Sequence, residues 1–150
     1  MKTIVLGLDG VTDSVRALER ATALAEAFDS KLIVVVAEPV APLVPLTTLE
    51  DSALAAPVVM PEQTWSRELV IEEARGFLDA RKLGYEIVSP IGEAGPEIVA
   101  VADEHQAELI VVPAAHAGFF ERWFVGTISD SVVRSAHRDV LLVADDPTEH

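Results

Sequence analysis

The chain has 150 residues, half of them hydrophobic, with no cysteine and a formal net charge of −14 at pH 7. This length fits one domain, residues 1–150, with a sizeable core, and the apolar content excludes an intrinsically disordered protein. The acidic charge opposes nucleic acids and anionic membranes as partners. The lack of cysteine excludes disulfides, and no apolar run approaches the roughly 18 residues of a membrane span, so we expect a soluble cytoplasmic protein.

Short apolar runs rich in β-branched residues alternate with longer segments of helical periodicity. The runs have strand length and cover residues 3–8, 32–36, 85–88, 109–112 and 140–143. Between them we expect four helices. The first two cover residues 13–28 and 62–82, the third has Pro96 in its first turn, and the fourth runs from Thr127 to about His137.

Each expected helix has one apolar side, set by spacings of three and four residues. These sides consist of Val15, Leu18, Thr22, Leu24, Ala25 and Phe28 in the first helix; Trp65, Leu69, Val70, Ala74, Phe77 and Leu78 in the second; Ile98, Val101, Ala102 and His105 in the third; and Ile128, Val132 and Ala136 in the fourth. The alternating order predicts an α/β protein with an open, doubly wound, five-stranded parallel sheet and helices on both faces.

In such sheets, ligands bind beyond the carboxyl ends of the strands, where the strand order reverses. If the strand order is 3-2-1-4-5, this place lies between strands 1 and 4. Asp9, directly after strand 1, would then face the loop that follows strand 4. Its carboxylate would accept a hydrogen bond from a ribose hydroxyl or hold a cation; the alternative is a carboxylate that caps the first helix.

The one irregular stretch covers residues 38–61 and contains five prolines, at positions 39, 42, 45, 57 and 61. A long loop in a compact domain is often a lid or an interface, and a packed surface arm is the alternative. We expect this stretch to be partly mobile or to be ordered by contacts with a partner chain.

The segment that joins strand 4 to the last helix, residues 112–129, reads VPAAHAGFFERWFVGTIS. Gly126, Thr127 and Ser129 stand at the start of the helix, where unpaired N–H groups and the positive end of the helix dipole favour phosphate. Pro113 and His116 occupy positions that glycine would serve better, because proline has no N–H and a side chain at 116 narrows the approach. The aromatic residues between His116 and Gly126 either pack on the sheet edge or form a partner surface; they are Phe119, Phe120, Trp123 and Phe124.

Four segments carry a resemblance to a known family. They are IVLGLDG at the first strand, VVVAEP at the second, GEAGPEIVAVADEHQAELIVV from the third helix to the fourth strand, and VGTISDSVVRSAHRDVLLV over the last helix and strand. The chain resembles the universal stress proteins over its whole length, apart from the stretch 38–61. This resemblance implies a five-stranded α/β sandwich of order 3-2-1-4-5, frequent dimers, and a family with nucleotide-binding and non-binding branches.

The binding branch of that family carries Gly-x2-Gly-x9-Gly-Ser/Thr after the fourth strand. This chain keeps the spacing and the final pair, Gly126-Thr127, but has Pro113 and His116 in place of the first two glycines. By resemblance, the ribose and adenine side involves Gly7, Asp9 and Val36, the ribose and phosphates lie near Val112, Pro113 and His116, and the phosphates meet Gly126, Thr127, Ile128 and Ser129.

Neither a catalytic group nor a metal site is expected. The histidines at 105, 116, 137 and 150 do not have the spacing of metal ligands. Ser14, Ser129 and Ser131 have no nearby His/Asp arrangement that would activate a nucleophile, and a Walker Gly-Lys-Ser is missing. The sequence therefore argues against an enzyme.

We expect a small regulatory module with a degenerate site for ATP or AMP, with Mg accompanying ATP, whose binding is weak or absent. The alternative is a dimeric adaptor of the same fold that binds an unknown protein partner and no nucleotide. In both cases we expect a homodimer through the fifth strand, because an uncovered apolar edge invites pairing. The residues of this edge are Val140, Leu141, Leu142 and Val143.

Overall fold

The computed structural model describes residues 1–8, 15–38, 61–114 and 128–144, with residues 61–66 described by their backbone alone. Strands and helices alternate along them: β1 (Thr3–Leu8), α1 (Val15–Ala27), β2 (Lys31–Val36), α2 (Pro61–Asp79), β3 (Tyr85–Val88), α3 (Ala94–Glu104), β4 (Leu109–Pro113), α4 (Ile128–Ser135) and β5 (Asp139–Val143). The strand pairs are parallel and their order is β3-β2-β1-β4-β5, which confirms the predicted sheet.

The strands form where apolar, β-branched residues follow one another without interruption. β1 and β3 have the predicted bounds, and β2, β4 and β5 are each one residue longer than predicted. Every residue of β1 after Thr3 and every residue of β2 after Lys31 is buried. Burial on both faces is what a parallel sheet covered by crossover helices requires.

Alternate strand residues supply two apolar cores, one on each face of the sheet. On one face, Ile4, Leu6 and Leu8 of β1 pack in a cluster with α1 and α2. On the other, Val5 packs in a cluster with α3 and α4. The helices that follow β1 and β2 therefore cover one face, and those that follow β3 and β4 cover the other.

The helices bury most of their predicted apolar sides. The buried members are Leu18, Thr22, Ala25, Ala74, Leu78, Ile98, Val101, Ala102, Ile128 and Val132. Val15, Phe28 and Leu69 are 43%, 51% and 62% exposed, so their assignment to buried sides is wrong. Val15 is the first residue of α1 and Phe28 follows its last, while Leu69 is turned about 100° around α2 from Val70, away from Ala74.

Two of the predicted features lie outside the described residues, namely the proline-rich stretch from 39 to 60 and the aromatic segment at 119–124. Among the described residues, no helix is long and apolar enough to cross a bilayer. α2 and α4 end at Asp79 and Ser135, two or three residues before the ends that the periodicity predicts.

Candidate functional site

The carboxyl edge of the sheet is unpaired between β1 and β4. β1 stays paired with β2, and β4 with β5, to the last residues of these strands. The pairing of β1 with β4 ends earlier, at Leu6 and Val111. We call the unpaired ends the β1–β4 notch; its residues are Gly7, Leu8, Val112 and Pro113. The notch lies where the strand order reverses, which is the position predicted for a ligand.

Pro113 removes a backbone donor from this notch. Successive N–H groups of a strand point to opposite sides within the plane of the sheet. The N–H of Ala114 donates to the carbonyl of Val143 in β5, at 2.9 Å. The nitrogen of Pro113 therefore faces the other side, toward β1, and carries no hydrogen. A glycine at this position would present an N–H to a molecule in the notch.

Gly7 is required by the packing of α3. A Cβ at Gly7 would approach Cγ1 of Ile98 to 2.8 Å and Cγ2 to 3.2 Å. Ile98 is fully buried and has no room to retreat. The close contact of helix and strand thus accounts for glycine at this position, and a ligand contact by Gly7 stays a prediction.

The side chains of the other described candidates are committed to packing. Val36 belongs to the core under α1 and α2, and Val112 and Ile128 belong to the core under α3 and α4. Pro113 and Ser129 are buried as well. A ligand at this edge would therefore meet mainly the backbone groups of these residues.

The start of α4 has opposing electrostatic features. A helix begins with N–H groups that lack intrahelical partners, and its dipole favours an anion there. Asp130 in this first turn opposes a phosphate. Nε of Arg134 lies 3.1 Å from Oδ1 of Asp130 and offsets part of that charge. The helix end is therefore a weaker phosphate site than one without an acidic first turn.

Beside the notch, at the ends of β2 and β3, lies a polar cluster that the sequence did not reveal. We call it the edge clamp; it consists of Glu38, Arg67 and Ser89. Arg67 Nη1 lies 2.7 Å from Oε2 of Glu38 and 3.3 Å from Oγ of Ser89. The hydroxyl of Ser89 donates to the carbonyl of Val36 at 2.7 Å. The one sequence signal was helical spacing, since Arg67 precedes the inward-facing Val70 by three residues and Ala74 by seven.

The structure brings Gly7, Val36, Val112 and Pro113 together at the ends of three adjacent strands, with Ile128 and Ser129 at the start of α4. The remaining candidates lie outside the described residues; they are Asp9, His116, Gly126 and Thr127. Within the described part of the chain, no group of three or more His, Cys, Asp or Glu side chains is arranged to hold a metal ion.

An open parallel sheet of this order defines a doubly wound α/β domain. In this class of fold, ligands bind at the carboxyl ends of the strands. The sequence profile of the universal stress protein family matches residues 1–144. The chain belongs to the universal stress protein family.

Several known proteins are similar to this chain. Universal stress protein MJ0531 of Methanocaldococcus jannaschii is 29% identical to this chain over an alignment of length 151. The alignment covers 95% of this chain and 81% of that protein. A universal stress protein solved in complex with cAMP is 26% identical, with a TM-score of 0.68 and 95% of each chain covered. A universal stress protein from Archaeoglobus fulgidus solved in complex with dAMP shares the fold at 19% identity, with a TM-score of 0.62 and coverage of 95% and 97%.

Proposed function

We propose that this chain is a small regulatory module that binds an adenine nucleotide, ATP or AMP, weakly in the β1–β4 notch. Mg would accompany ATP. The proposal assigns the base to the end of β2, the ribose to the ends of β1 and β4, and the phosphates to the start of α4. Binding is proposed without turnover, because the sequence has no Walker Gly-Lys-Ser and no His/Asp arrangement near Ser14, Ser129 or Ser131 that would activate a nucleophile.

The observation that carries the proposal is the early end of the β1–β4 pairing at Leu6 and Val111. It leaves backbone groups of both strands without a strand partner at the switch point, where doubly wound folds bind nucleotides. Family membership supports an adenine nucleotide as the ligand, since a relative 26% identical to this chain was solved with cAMP.

Weak binding follows from Pro113. A glycine there would direct an N–H toward β1, and a hydrogen bond to a charged ligand group contributes about 1.5–3 kcal/mol. Its loss corresponds to about tenfold to a hundredfold in affinity. The acidic first turn of α4 and the bulk of His116 also weaken nucleotide binding in this proposal.

Thermal unfolding with and without nucleotide tests this function, because a ligand that binds only the folded state raises the melting temperature by mass action. We expect a rise with ATP–Mg or AMP at about 10 mM and none at about 10 μM. Sodium chloride and magnesium chloride at the same ionic strength control for a general salt effect. No rise with either nucleotide at the higher concentration would contradict the proposal.

The alternative function is a dimeric adaptor that binds a protein and no nucleotide. The exposed side chain of Leu142 on the edge strand β5 favours an interface there, and Pro113 disfavours the nucleotide. The partner protein is unidentified. For either function, the cysteine-free and acidic composition favours the reducing cytoplasm.

A further inference from the structure

The end of β2 is joined to the β3–α3 connection by three hydrogen bonds. Ser89 Oγ donates to the carbonyl of Val36 at 2.7 Å. The N–H of Glu38 donates to the carbonyl of Pro90 at 2.7 Å, and the N–H of Gly92 donates to the carbonyl of Glu38 at 2.8 Å. Gly92 has φ +151°, a conformation that favours glycine. The backbone just beyond Val36 is therefore held in one conformation.

Arg67 completes this arrangement from outside the sheet. Its Nη1 contacts both Glu38 and Ser89, so one guanidinium of α2 holds a residue after β2 and a residue after β3. Arg67 thereby links α2 to the hydroxyl that binds the Val36 carbonyl.

The cost of burying Arg67 argues that this contact has more than a packing role. Its Nε is buried and finds no hydrogen-bond partner among the described residues. A buried donor without a partner is unfavourable, and an apolar side chain at the same place would avoid this penalty. In some proteins, polar groups that are buried at such a cost fix one geometry where an alternative packing would be as stable.

We propose that Arg67 and Ser89 are positioning residues of the nucleotide site: they fix the Val36 backbone against which the purine base rests. This inference depends on the proposed function, which assigns the base to the end of β2. The edge clamp acts on the base alone, because it lies at β2 and β3, whereas the ribose and phosphate groups belong to the ends of β1 and β4 and the start of α4.

The test compares two probes by calorimetry: AMP, which has the base, and ribose 5-phosphate, which lacks it. For Ser89→Ala and Arg67→Met, we expect AMP to bind about threefold to tenfold more weakly, as for the loss of one hydrogen bond. The affinity for ribose 5-phosphate should not change. Ser89→Thr keeps the hydroxyl and should retain AMP affinity. The matched controls are Ser135→Ala and Arg75→Met, which lie away from the clamp.

A substitution that disturbs the whole site would weaken the binding of AMP and of ribose 5-phosphate equally, and that result would overturn the inference. An unchanged AMP affinity in Ser89→Ala would overturn it as well. If Arg67→Met does not fold, the Ser89→Ala and Ser89→Thr pair decides alone. If the wild type does not bind AMP at all, both the proposed function and this inference are overturned. The wild-type titration alone identifies that outcome, since the other results require a wild type that binds AMP.

Discussion

Single residues at the carboxyl edge determine what a ligand would meet there. Pro113 and Gly7 lie at the ends of neighbouring strands, yet their effects differ. The ring of Pro113 replaces an N–H that would face β1, whereas the missing side chain of Gly7 leaves room for Ile98. The end of strand 4 places Pro113 near the predicted site, and the family resemblance implies the same for Gly7. The sequence does not predict that Gly7 is needed for packing, because Ile98 lies 91 residues further along the chain.

Arg67 is a second residue whose role the sequence predicts only in part. Its helical spacing relative to Val70 and Ala74 is local and places it on the inner side of α2. Its partners, Glu38 and Ser89, come from two other connections that only the folded sheet brings together. Local sequence patterns therefore could not predict the edge clamp.

Gly7→Ala tests the packing role of Gly7. The added methyl group would overlap buried atoms of Ile98, and overpacking of this kind costs about 1–3 kcal/mol of unfolding free energy. Urea denaturation measures the change. Gly76→Ala is the matched control: nothing lies within 4 Å of a Cβ at this position of α2, and removal of a helical glycine there should stabilise by about 0.5–1 kcal/mol. Equal changes in unfolding free energy for Gly7→Ala and Gly76→Ala would contradict the packing role of Gly7.

Tyr85 provides a second test at this scale. Its hydroxyl donates a hydrogen bond to Oδ1 of Asp79, and this bond, together with partial desolvation and the nearby carboxylate charge, raises the pKa of Tyr85 above its ordinary value. Because the folded-state pKa is raised, the stability from this contact is present below the unfolded pKa of about 10 and is lost as the pH rises through the folded pKa.

Tyr85 is the only tyrosine of the chain, so ultraviolet absorbance of the phenolate reports on it alone. We expect a titration midpoint above about 10 in the wild type and a lower midpoint in Asp79→Asn. Glu72→Gln, an exposed change on the same helix, should leave the midpoint in place. An identical midpoint in wild type and Asp79→Asn would show that the hydrogen bond does not form.

At the scale of elements, the strands were predictable and the helix surfaces less so. A buried parallel strand needs an uninterrupted apolar run, which is visible in the sequence, and the five runs match the observed strands to within one residue. A helix side depends on where the helix sits on the sheet. Periodicity therefore identified Leu18, Ala74 and Ile98 correctly but included Val15 and Leu69, which face solvent.

The first turns of α3 and α4 touch at Gly95. A Cβ at Gly95 would overlap the side chain of Ser131, whose Cα lies 3.6 Å away. We expect Gly95→Ala to lower the unfolding free energy by about 1–3 kcal/mol because the helices must move apart. Ser131→Gly alone should cost about 0.5–1 kcal/mol through helix propensity.

The double variant Gly95→Ala, Ser131→Gly should recover most of the loss, because the overlapping atoms are gone. Urea denaturation of the four proteins gives the coupling free energy between the two positions. Strictly additive effects would mean that the two helices do not meet at these residues.

At the scale of the molecule, the alternation of elements predicts a parallel sheet, and the family resemblance implies its order 3-2-1-4-5, which leaves β5 as an edge. Leu142 on this strand is 43% exposed. An apolar edge strand is a template for pairing with a second copy. The oligomeric state depends on a second chain, so neither the sequence nor the fold of one chain determines it.

We predict a homodimer through β5 that Leu142→Lys converts to a monomer, because a charged side chain on the edge strand would disfavour pairing with a second copy. Light scattering at micromolar concentration measures the mass. Leu69→Lys is the control, since it places the same charge on α2, which packs at the other end of the sheet, and should leave the dimer intact. A monomeric wild type would contradict the prediction.

The central claim is that the notch binds an adenine nucleotide weakly because of Pro113 and His116, and calorimetry tests it most directly. Wild-type protein and the double variant Pro113→Gly, His116→Gly are titrated with ATP–Mg. The restored N–H and the widened approach should improve affinity by about tenfold to a hundredfold over a near-millimolar wild type. Tight binding by the wild type, or a folded double variant with no gain in affinity, would contradict the claim.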